Sequence, residues 1–255
     1  MNRNLHYIPL VEGSTQEAAE ALPLPGEEGS LGAVYTFCQQ AGRGQGQNKW
    51  FGGQGKNIAA TFVLEPFFLP ASHLFLLNIS LSLGVLAYVR QRQGDFLLKW
   101  PNDIYWHGRK AGGILLASRI CENRVRCLYF GLGLNINQDV FPDAIPHPVS
   151  LWQIDGKSRD LHAEMGELAD CLHESYACLR RDWSGKEPDT VWDRWKSAYL
   201  EVLLFRGQWK YFIWKGKAVE ACILDVDTYG RLILGTRSGN RIVADIKEVR
   251  YDFDA

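Results

Sequence analysis

The stretch Lys99–Tyr105 reads KWPNDIY, and it ends a short strand-like run, Phe96–Trp100 (FLLKW). Proline stops that strand, because it has no backbone N–H to donate to a neighbour. Asn102 and Asp103 therefore follow a strand end, which is where sheets of α/β proteins present side chains to ligands. The stretch predicts a sheet that carries an amide and a carboxylate at its binding edge.

Two further stretches place glycines and polar groups beside buried strands. Lys110 follows Asp103 by seven residues and precedes Ala111–Leu115 (AGGIL), and Gly131–Asn137 reads GLGLNIN. Glycine has no Cβ, so a small molecule can approach the backbone closely at these points. Any one stretch is compatible with a well-packed turn, but three in one domain favour a ligand site.

Upstream lies a loop rich in glycine and glutamine, Gln39–Trp50 (QQAGRGQGQNKW). Glycine-rich backbone can form an anion-binding nest, and the Arg43 guanidinium offers paired donors to phosphate or carboxylate. Trp50 supplies an apolar lid or stacking surface. No GKS or GKT follows and no GxGxxG register fits, so the loop is not a Walker A loop. By itself, it fits a surface turn as well as a phosphate loop.

On both sides of these stretches, strand-like and helix-like segments alternate over the first two thirds of the chain. The β-rich segments are Leu31–Phe37 and Asn57–Glu65, and Ile114–Ser118 and Val125–Gly131 predict a hairpin turning at Glu122 and Asn123. An apolar helix is predicted within Leu74–Val89 and an amphipathic one from Leu161 to Leu179, with Ile154–Lys157 as a linker.

The pattern changes after about Leu204. Short strands are then separated by KGK, DTYG and SGN turns, at Trp209–Ile213, Ala218–Asp225, Leu232–Leu234 and Arg241–Ile246. We predict an α+β domain at 1–204, a mixed sheet with helices, followed by a small β-barrel at 205–255.

Composition limits the possible partners. The chain has 46% hydrophobic residues and a net charge of −1, which is typical of a globular protein without general attraction to nucleic acid or anionic membranes. Six cysteines without a CxxC pair indicate reduced thiols rather than a zinc site or disulfides. With no signal-peptide pattern at the N-terminus, we expect a cytoplasmic protein. The uncharged segment Pro66–Tyr88 is interpreted as a buried helix, not a membrane span.

Taken together, KWPNDIY, GRKAGGIL and GLGLNIN, preceded by Gly13-Ser14-Thr15 and the GRG loop, resemble the biotin protein ligase family from about Val11 to Phe253. The resemblance implies a class II synthetase-like catalytic domain followed by an SH3-like β-barrel. It implies ATP-dependent formation of biotinyl-5'-AMP with release of pyrophosphate, and then transfer of biotin to a lysine of a carboxylase carrier domain. Mg²⁺ is the implied metal ion.

The resemblance also assigns roles to residues. Those implied at biotin are Ser14, Thr15, Gln39, Gly42, Arg43, Lys110, Gly113, Gly131 and Gly133. Those implied at ATP or the adenylate are Arg43, Gln45, Trp50, Asn102, Asp103, Lys110 and Asn135. Arg43, Lys110 and Asp103 are the implied catalytic groups, because two anions must be brought together and the acceptor lysine must lose a proton. Asp103 is also the implied magnesium ligand.

Some features depart from the family pattern or leave choices open. The loop lacks a second arginine, with Gly46 and Gln47 in its place, and Gln16 replaces asparagine after Ser-Thr. Lys247-Glu248 is either near the active site, as family members suggest, or a solvated strand end. There is no room for a helix-turn-helix before Gly13, so we expect the short form without a DNA-binding domain, as a monomer or homodimer that binds neither nucleic acid nor membrane.

Three alternatives remain. A lipoate or octanoate ligase would share the fold and a similar lysine, but its RRxSGGG motif is absent. A non-catalytic biotin-binding module is the second alternative, and intact Arg43, Asp103 and Lys110 argue against it. A biotin-responsive DNA-binding repressor is the third, and the neutral charge argues against that.

Overall fold

A computed structural model describes residues 4–21, 30–44, 46 and 49–253. Its strands are β1 (Asn4–Tyr7), β2 (Leu31–Thr36), β3 (Gly42–Arg43), β4 (Lys49–Trp50), β5 (Ile58–Leu64), β6 (Phe96–Lys99), β7 (Asp103–Trp106), β8 (Arg109–Cys121), β9 (Arg124–Leu134), β10 (Trp209–Trp214), β11 (Lys217–Val226), β12 (Leu232–Thr236), β13 (Arg241–Ala244) and β14 (Val249–Tyr251). Its helices are α1 (Thr15–Glu20), α2 (Leu74–Arg90), α3 (Leu151–Asp155), α4 (Leu161–Gly185) and α5 (Pro188–Glu201).

The main sheet is mixed and has the strand order β1-β2-β5-β9-β8-β7-β6. β1 runs parallel to β2, whereas the other pairs are antiparallel. β2 and β5 are mainly apolar and buried at every position, because helices cover both faces of the sheet. α1 packs on one face, while α2, α4 and α5 form the layer on the other.

Helix α2 lies inside that helical layer. It carries no charge before Arg90, and most of its side chains are buried between the sheet, α4 and α5. Gly84 lets α4 approach, since a Cβ there would lie 3.1 Å from the Cys171 carbonyl oxygen. Among the described residues, the segment Ala71–Arg90 is long and apolar enough to cross a membrane. However, 72% of its apolar stretch is buried inside the fold. The prediction of a buried core helix is confirmed.

The hairpin predicted at the centre of the chain is β8–β9. Glu122 and Asn123 form its turn with φ of 48° and 65°, the left-handed values that a two-residue type I′ turn requires. The glycine pair of AGGIL lies inside β8, not ahead of a strand as we expected. Both glycines are needed within the sheet, because Gly112 faces Leu134 and Ile104 while Gly113 faces Lys110.

The predicted linker Ile154–Lys157 is partly wrong. Ile154 and Asp155 belong to α3, which begins with a capping box between Ser150 and Gln153. The helix stops at Gly156, whose φ of 72° places it in the left-handed region that commonly ends helices. A short helix therefore connects the main sheet to α4.

A second, antiparallel sheet follows α5, with the order β13-β12-β11-β10-β14. It is consistent with a small SH3-like domain; its closure into a barrel and the domain boundary at 204/205 stay predictions. The two sheets share one hydrophobic cluster. Between them, the Trp100 indole N–H donates to the Gly230 carbonyl (2.9 Å), and the rings of Tyr105 and Phe253 stack at 5.4 Å. These contacts bring the C-terminal strand β14 to the KWPND edge.

Candidate active site

A cavity of about 760 Å³ opens between the main sheet and the C-terminal strand β14. This is a volume typical of small-molecule sites. Most of the residues that the sequence predicted for the site line it: Ser14, Thr15, Gln39, Arg43, Trp50, Asn102, Asp103, Lys110, Gly113, Gly131 and Gly133. Gly42 and Asn135 do not line it, and Gln45 lies outside the described residues.

The start of α1 forms one polar end of the cavity. The Ser14 hydroxyl accepts from the Glu17 N–H, and the Glu17 carboxylate accepts from the Ser14 N–H, which closes a capping box. The Thr15 N–H donates to the Gln39 side-chain oxygen at 2.8 Å, and the Thr15 hydroxyl lies 3.0 Å from that of Thr61. These bonds fix hydroxyl and amide groups at the wall, where they can bind a polar ring.

Asp103 lies between two ammonium groups. Lys110 Nζ is 2.8 Å from Asp103 Oδ1, and Lys99 Nζ is 3.9 Å from Asp103 Oδ2. The β6–β7 hairpin places Lys99 opposite Asp103, and β8 brings Lys110 alongside. The backbone of Lys110 is also fixed, because its N–H donates to the His147 carbonyl (2.7 Å). The group carries one net positive charge in the cavity, and it can attract an anionic ligand.

Lys99 is a cavity residue that the sequence reasoning missed, although it begins the KWPND motif. Its Nζ lies 4.8 Å from the centroid of the Tyr251 ring, and its side chain is largely enclosed. Burial lowers the pKa of Lys99, nearby Lys110 lowers it further, and Asp103 opposes both effects. Lys99 therefore loses its charge at a lower pH than an exposed lysine does.

The variant Lys99→Met keeps the bulk of the side chain and removes its charge. If the site handles anions, we expect turnover to fall about tenfold, the size of one charged hydrogen bond. In the unmodified protein, activity should decline as pH rises towards the ordinary lysine pKa of 10.5, because the pKa of Lys99 lies below that value. The variant should lack that part of the alkaline decline. A pH–rate profile of each protein checks this, and superimposable profiles would contradict it.

Gly113 leaves room for the Lys110–Asp103 pair. A Cβ at this position would lie 3.2 Å from Lys110 Cε and Nζ and 3.3 Å from Asp103 Oδ1. Gly113→Ala should push the pair apart and lower turnover about tenfold, because displacing a reacting group by less than 1 Å is costly. The matched control is Gly94→Ala, whose Cβ meets nothing within 4 Å. Equal turnover of the two variants would count against this role for Gly113.

Trp50 covers the glycine strand. A Cβ on Gly133 would fall only 2.1 Å from Trp50 Cε2, so the indole lies directly on the backbone there. Lys110 Nζ lies 5.9 Å from the Trp50 ring centroid. The Trp50 indole N–H is buried without a hydrogen-bond partner among the described residues. Trp50 thus packs on Gly133 and faces the cation group.

The two asparagines of the predicted site have structural contacts. Asn102 is 7% exposed and its amide N–H donates to the Asn78 side chain of α2 at 2.7 Å. Asn135 is 4% exposed and its amide donates to the Val149 carbonyl at 3.0 Å. Asn102 still reaches the cavity wall, whereas Asn135 supports the segment that holds Lys110. The place of Asn135 near the adenylate stays a prediction.

The C-terminal strand completes the cavity. Lys247, Arg250, Tyr251 and Phe253 line it, but Glu248 instead pairs with Lys215 at 3.0 Å. Lys247 therefore lies at the candidate active site, whereas Glu248 fits the interpretation as a solvated strand end. No local sequence pattern signals that β14 packs against residues nearly 150 positions earlier.

The donor set at Asp103 does not fit a resident magnesium ion. Within the described ranges, no three His, Cys, Asp or Glu side chains lie together as metal ligands would. Asp103 stands alone, and its two oxygens face ammonium groups. Because ammonium groups already face both oxygens of Asp103, its role as a magnesium ligand stays a prediction.

Known proteins resemble the chain in sequence and in fold. Residues 13–135 match the model of the biotin/lipoate A/B protein ligase family. The biotin–[acetyl-CoA-carboxylase] ligase of Paracoccus denitrificans is 36% identical over 167 residues, which is 62% of this chain and 67% of that protein. The chain belongs to the biotin protein ligase family.

Other members match over more of the chain. The bifunctional ligase/repressor BirA of Bacillus spizizenii is 29% identical over 254 residues, 97% of this chain and 74% of the relative. The biotin protein ligase of Aquifex aeolicus in complex with biotin and ATP shares the fold at 22% identity, with a TM-score of 0.76, over 98% of this chain and all of that one. The family's fold therefore includes the second sheet and the described C-terminal strand.

Proposed function

We propose that this chain is an ATP-dependent biotin protein ligase. The observation that carries the proposal is a single cavity with a neutral polar end at Ser14, Thr15 and Gln39 and a cationic end at Lys110 and Lys99. The first end suits the ureido ring of biotin, and the second suits its carboxylate and the phosphates of ATP. Family membership and the names of the relatives support the assignment.

The first half-reaction joins two anions. An oxygen of the biotin carboxylate attacks the α-phosphorus of ATP, and the bond to the bridging oxygen breaks to release pyrophosphate. Lys110 and Lys99 lower the repulsion between carboxylate and phosphate, and Arg43 at the rim adds a third cation. Magnesium is supplied with ATP as its counter-ion. The product is the mixed anhydride biotinyl-5'-AMP.

The second half-reaction needs no nucleophile from this chain. The amine of an acceptor lysine attacks the acyl carbon of the anhydride, and AMP leaves with the electron pair of the broken C–O bond. Asp103 is the carboxylate within the cavity wall nearest the cation pair, so we assign it the orientation and deprotonation of the incoming ammonium. Asp103→Asn should therefore slow transfer more than adenylate formation.

The remaining assignments follow the same proposal. The acceptor is the biotin carboxyl carrier domain of a carboxylase, consistent with the name of the Paracoccus relative. The other residues assigned to biotin are Gly42, Gly113, Gly131 and Gly133, and those assigned to the adenylate are Gln45, Trp50 and Asn102. We propose a cytoplasmic monomer or homodimer without nucleic-acid binding, with domains at 1–204 and 205–255, the second an SH3-like barrel.

Pyrophosphate release by the purified protein, with biotin or lipoate supplied separately, tests the proposal. We expect release with ATP, magnesium and biotin, and none with lipoate. Release with lipoate would move the protein to the lipoate branch, which the same family model covers. No release with either acid from folded protein would support a non-catalytic binding module instead.

A further inference from the structure

Glu17 contacts two parts of the site, the Ser14–Thr15 turn at the start of α1 and Arg43 in the glycine-rich loop. One oxygen of its carboxylate, Oε2, accepts from the Ser14 N–H at 3.1 Å and closes the capping box. The other, Oε1, pairs with the Arg43 guanidinium. A single side chain therefore holds the turn that forms the polar end of the cavity and the cation at its rim.

The Glu17–Arg43 ion pair competes with the binding of a phosphate by Arg43. Arg43 lines the cavity, whereas Glu17 does not, so the pair directs the guanidinium towards α1. An arginine whose Nη2 is held by a carboxylate cannot at the same time offer that N–H to a phosphate. The other N–H groups of the guanidinium stay available, so a phosphate must displace Glu17 only where it takes this same N–H.

The Arg43–Glu17 ion pair is weak enough for a phosphate to replace Glu17 as the partner of Arg43. The side chains of Arg43 and Glu17 are 64% and 46% exposed. Exposed ion pairs of this kind change an equilibrium by about two- to fivefold, because water and salt screen them. A phosphate flanked by Lys110 and Lys99 is a stronger acceptor for Arg43 than an exposed carboxylate.

We infer that Glu17 is a positioning residue that directs Arg43 towards α1, and that it weakens retention of the adenylate by competing for this arginine. The inference rests on the proposed function for its ligand, but the Glu17–Arg43 contact is formed within the chain itself. The loop carries no second arginine that could compensate: Gly46 and Gln47 stand where the family pattern has one.

Glu17→Gln separates the two tasks of this side chain. Glutamine at the third helical position still accepts from the N-cap N–H, so the capping box remains. Its amide is neutral, so the attraction to Arg43 is lost. The matched control is Glu20→Gln, which removes the same charge from the same short helix at an exposed position.

The first measurement is hydrogen exchange of the empty protein over Gly42–Gly44. We expect exchange to rise about two- to fivefold in Glu17→Gln and to stay unchanged in Glu20→Gln, with both melting at the temperature of the unmodified protein. Equal exchange in all three proteins would overturn the contact. This arm requires no ligand, so it decides on the contact even if the chain forms no adenylate.

The second measurement is the dissociation rate of biotinyl-5'-AMP, supplied as the preformed compound. Glu17→Gln should release it about two- to fivefold more slowly, and in an Arg43→Gln background the same change should have no effect. Faster release would mean that Glu17 helps to hold the adenylate. An unchanged rate, or an effect that persists without Arg43, would mean that Glu17 does not compete for this arginine. Each of these results overturns the inference. Failure of the proposed function would instead appear as no binding of the compound to any variant.

Discussion

Lys110→Ala is expected to slow biotin-dependent pyrophosphate release about 100- to 1000-fold, the usual cost of removing one oriented group that faces developing charge. Lys110 Nζ is held 2.8 Å from Asp103, and its backbone is bonded to the segment at His147. Lys99 cannot take its place, because it faces the opposite oxygen of Asp103. Single-turnover pyrophosphate release measures the effect.

The control for this variant is Lys56→Ala. Lys56 also pairs with an aspartate, Asp139 at 2.5 Å, but both side chains lie at the surface and neither lines the cavity. Removing it should leave release within twofold. If Lys110→Ala retained more than about a tenth of the activity while folded, the cation pair would not be the group that brings the two anions together.

Gly133→Ala has the second largest expected effect. Its Cβ would enter the Trp50 ring, at 2.1 Å from Cε2, so the indole must leave its place over the glycine strand. Loss of this buried aromatic wall removes about 1.5–3 kcal/mol of apolar contact. That corresponds to a biotin affinity about 10- to 100-fold lower, measured by calorimetric titration.

Two further variants show whether the effect passes through Trp50. Gly94→Ala, where a Cβ meets open space, should bind biotin normally. Trp50→Ala should itself weaken binding, and adding Gly133→Ala to it should cost little more, because the clashing ring is gone. Full additivity of the two changes would show that Gly133 affects the site in another way.

Much of this site could be predicted from the sequence because its groups sit on short motifs. Asp103 and Lys110 lie at a strand end and at the start of the next strand, so neighbouring positions in the sheet bring them together. The hairpin turn at Glu122 and Asn123 and the buried helix α2 were predictable for the same reason, since each depends on local residue pattern.

The parts that escaped prediction depend on contacts distant in sequence. Glu17 meets Arg43 only because α1 and the β3–β4 hairpin converge, and Phe253 reaches Tyr105 through the second sheet. Asn135 follows a strand as Asn102 does, yet its amide is used by the Val149 carbonyl, which no local pattern signals. Helix α3 begins with a Ser150–Gln153 capping box, a local signal that the linker prediction for Ile154–Lys157 left unused.

The proposed function requires that this cavity joins the carboxylate of biotin to the α-phosphate of ATP. It is tested most directly with biotin whose carboxylate carries heavy oxygen, incubated with ATP, magnesium, the protein and a carboxylase carrier domain. We expect the AMP released on transfer to contain one heavy oxygen, because the C–O bond of the anhydride is broken at the acyl carbon. Biotinylated carrier accompanied by unlabelled AMP would show that the biotin carboxylate is not joined to the α-phosphate.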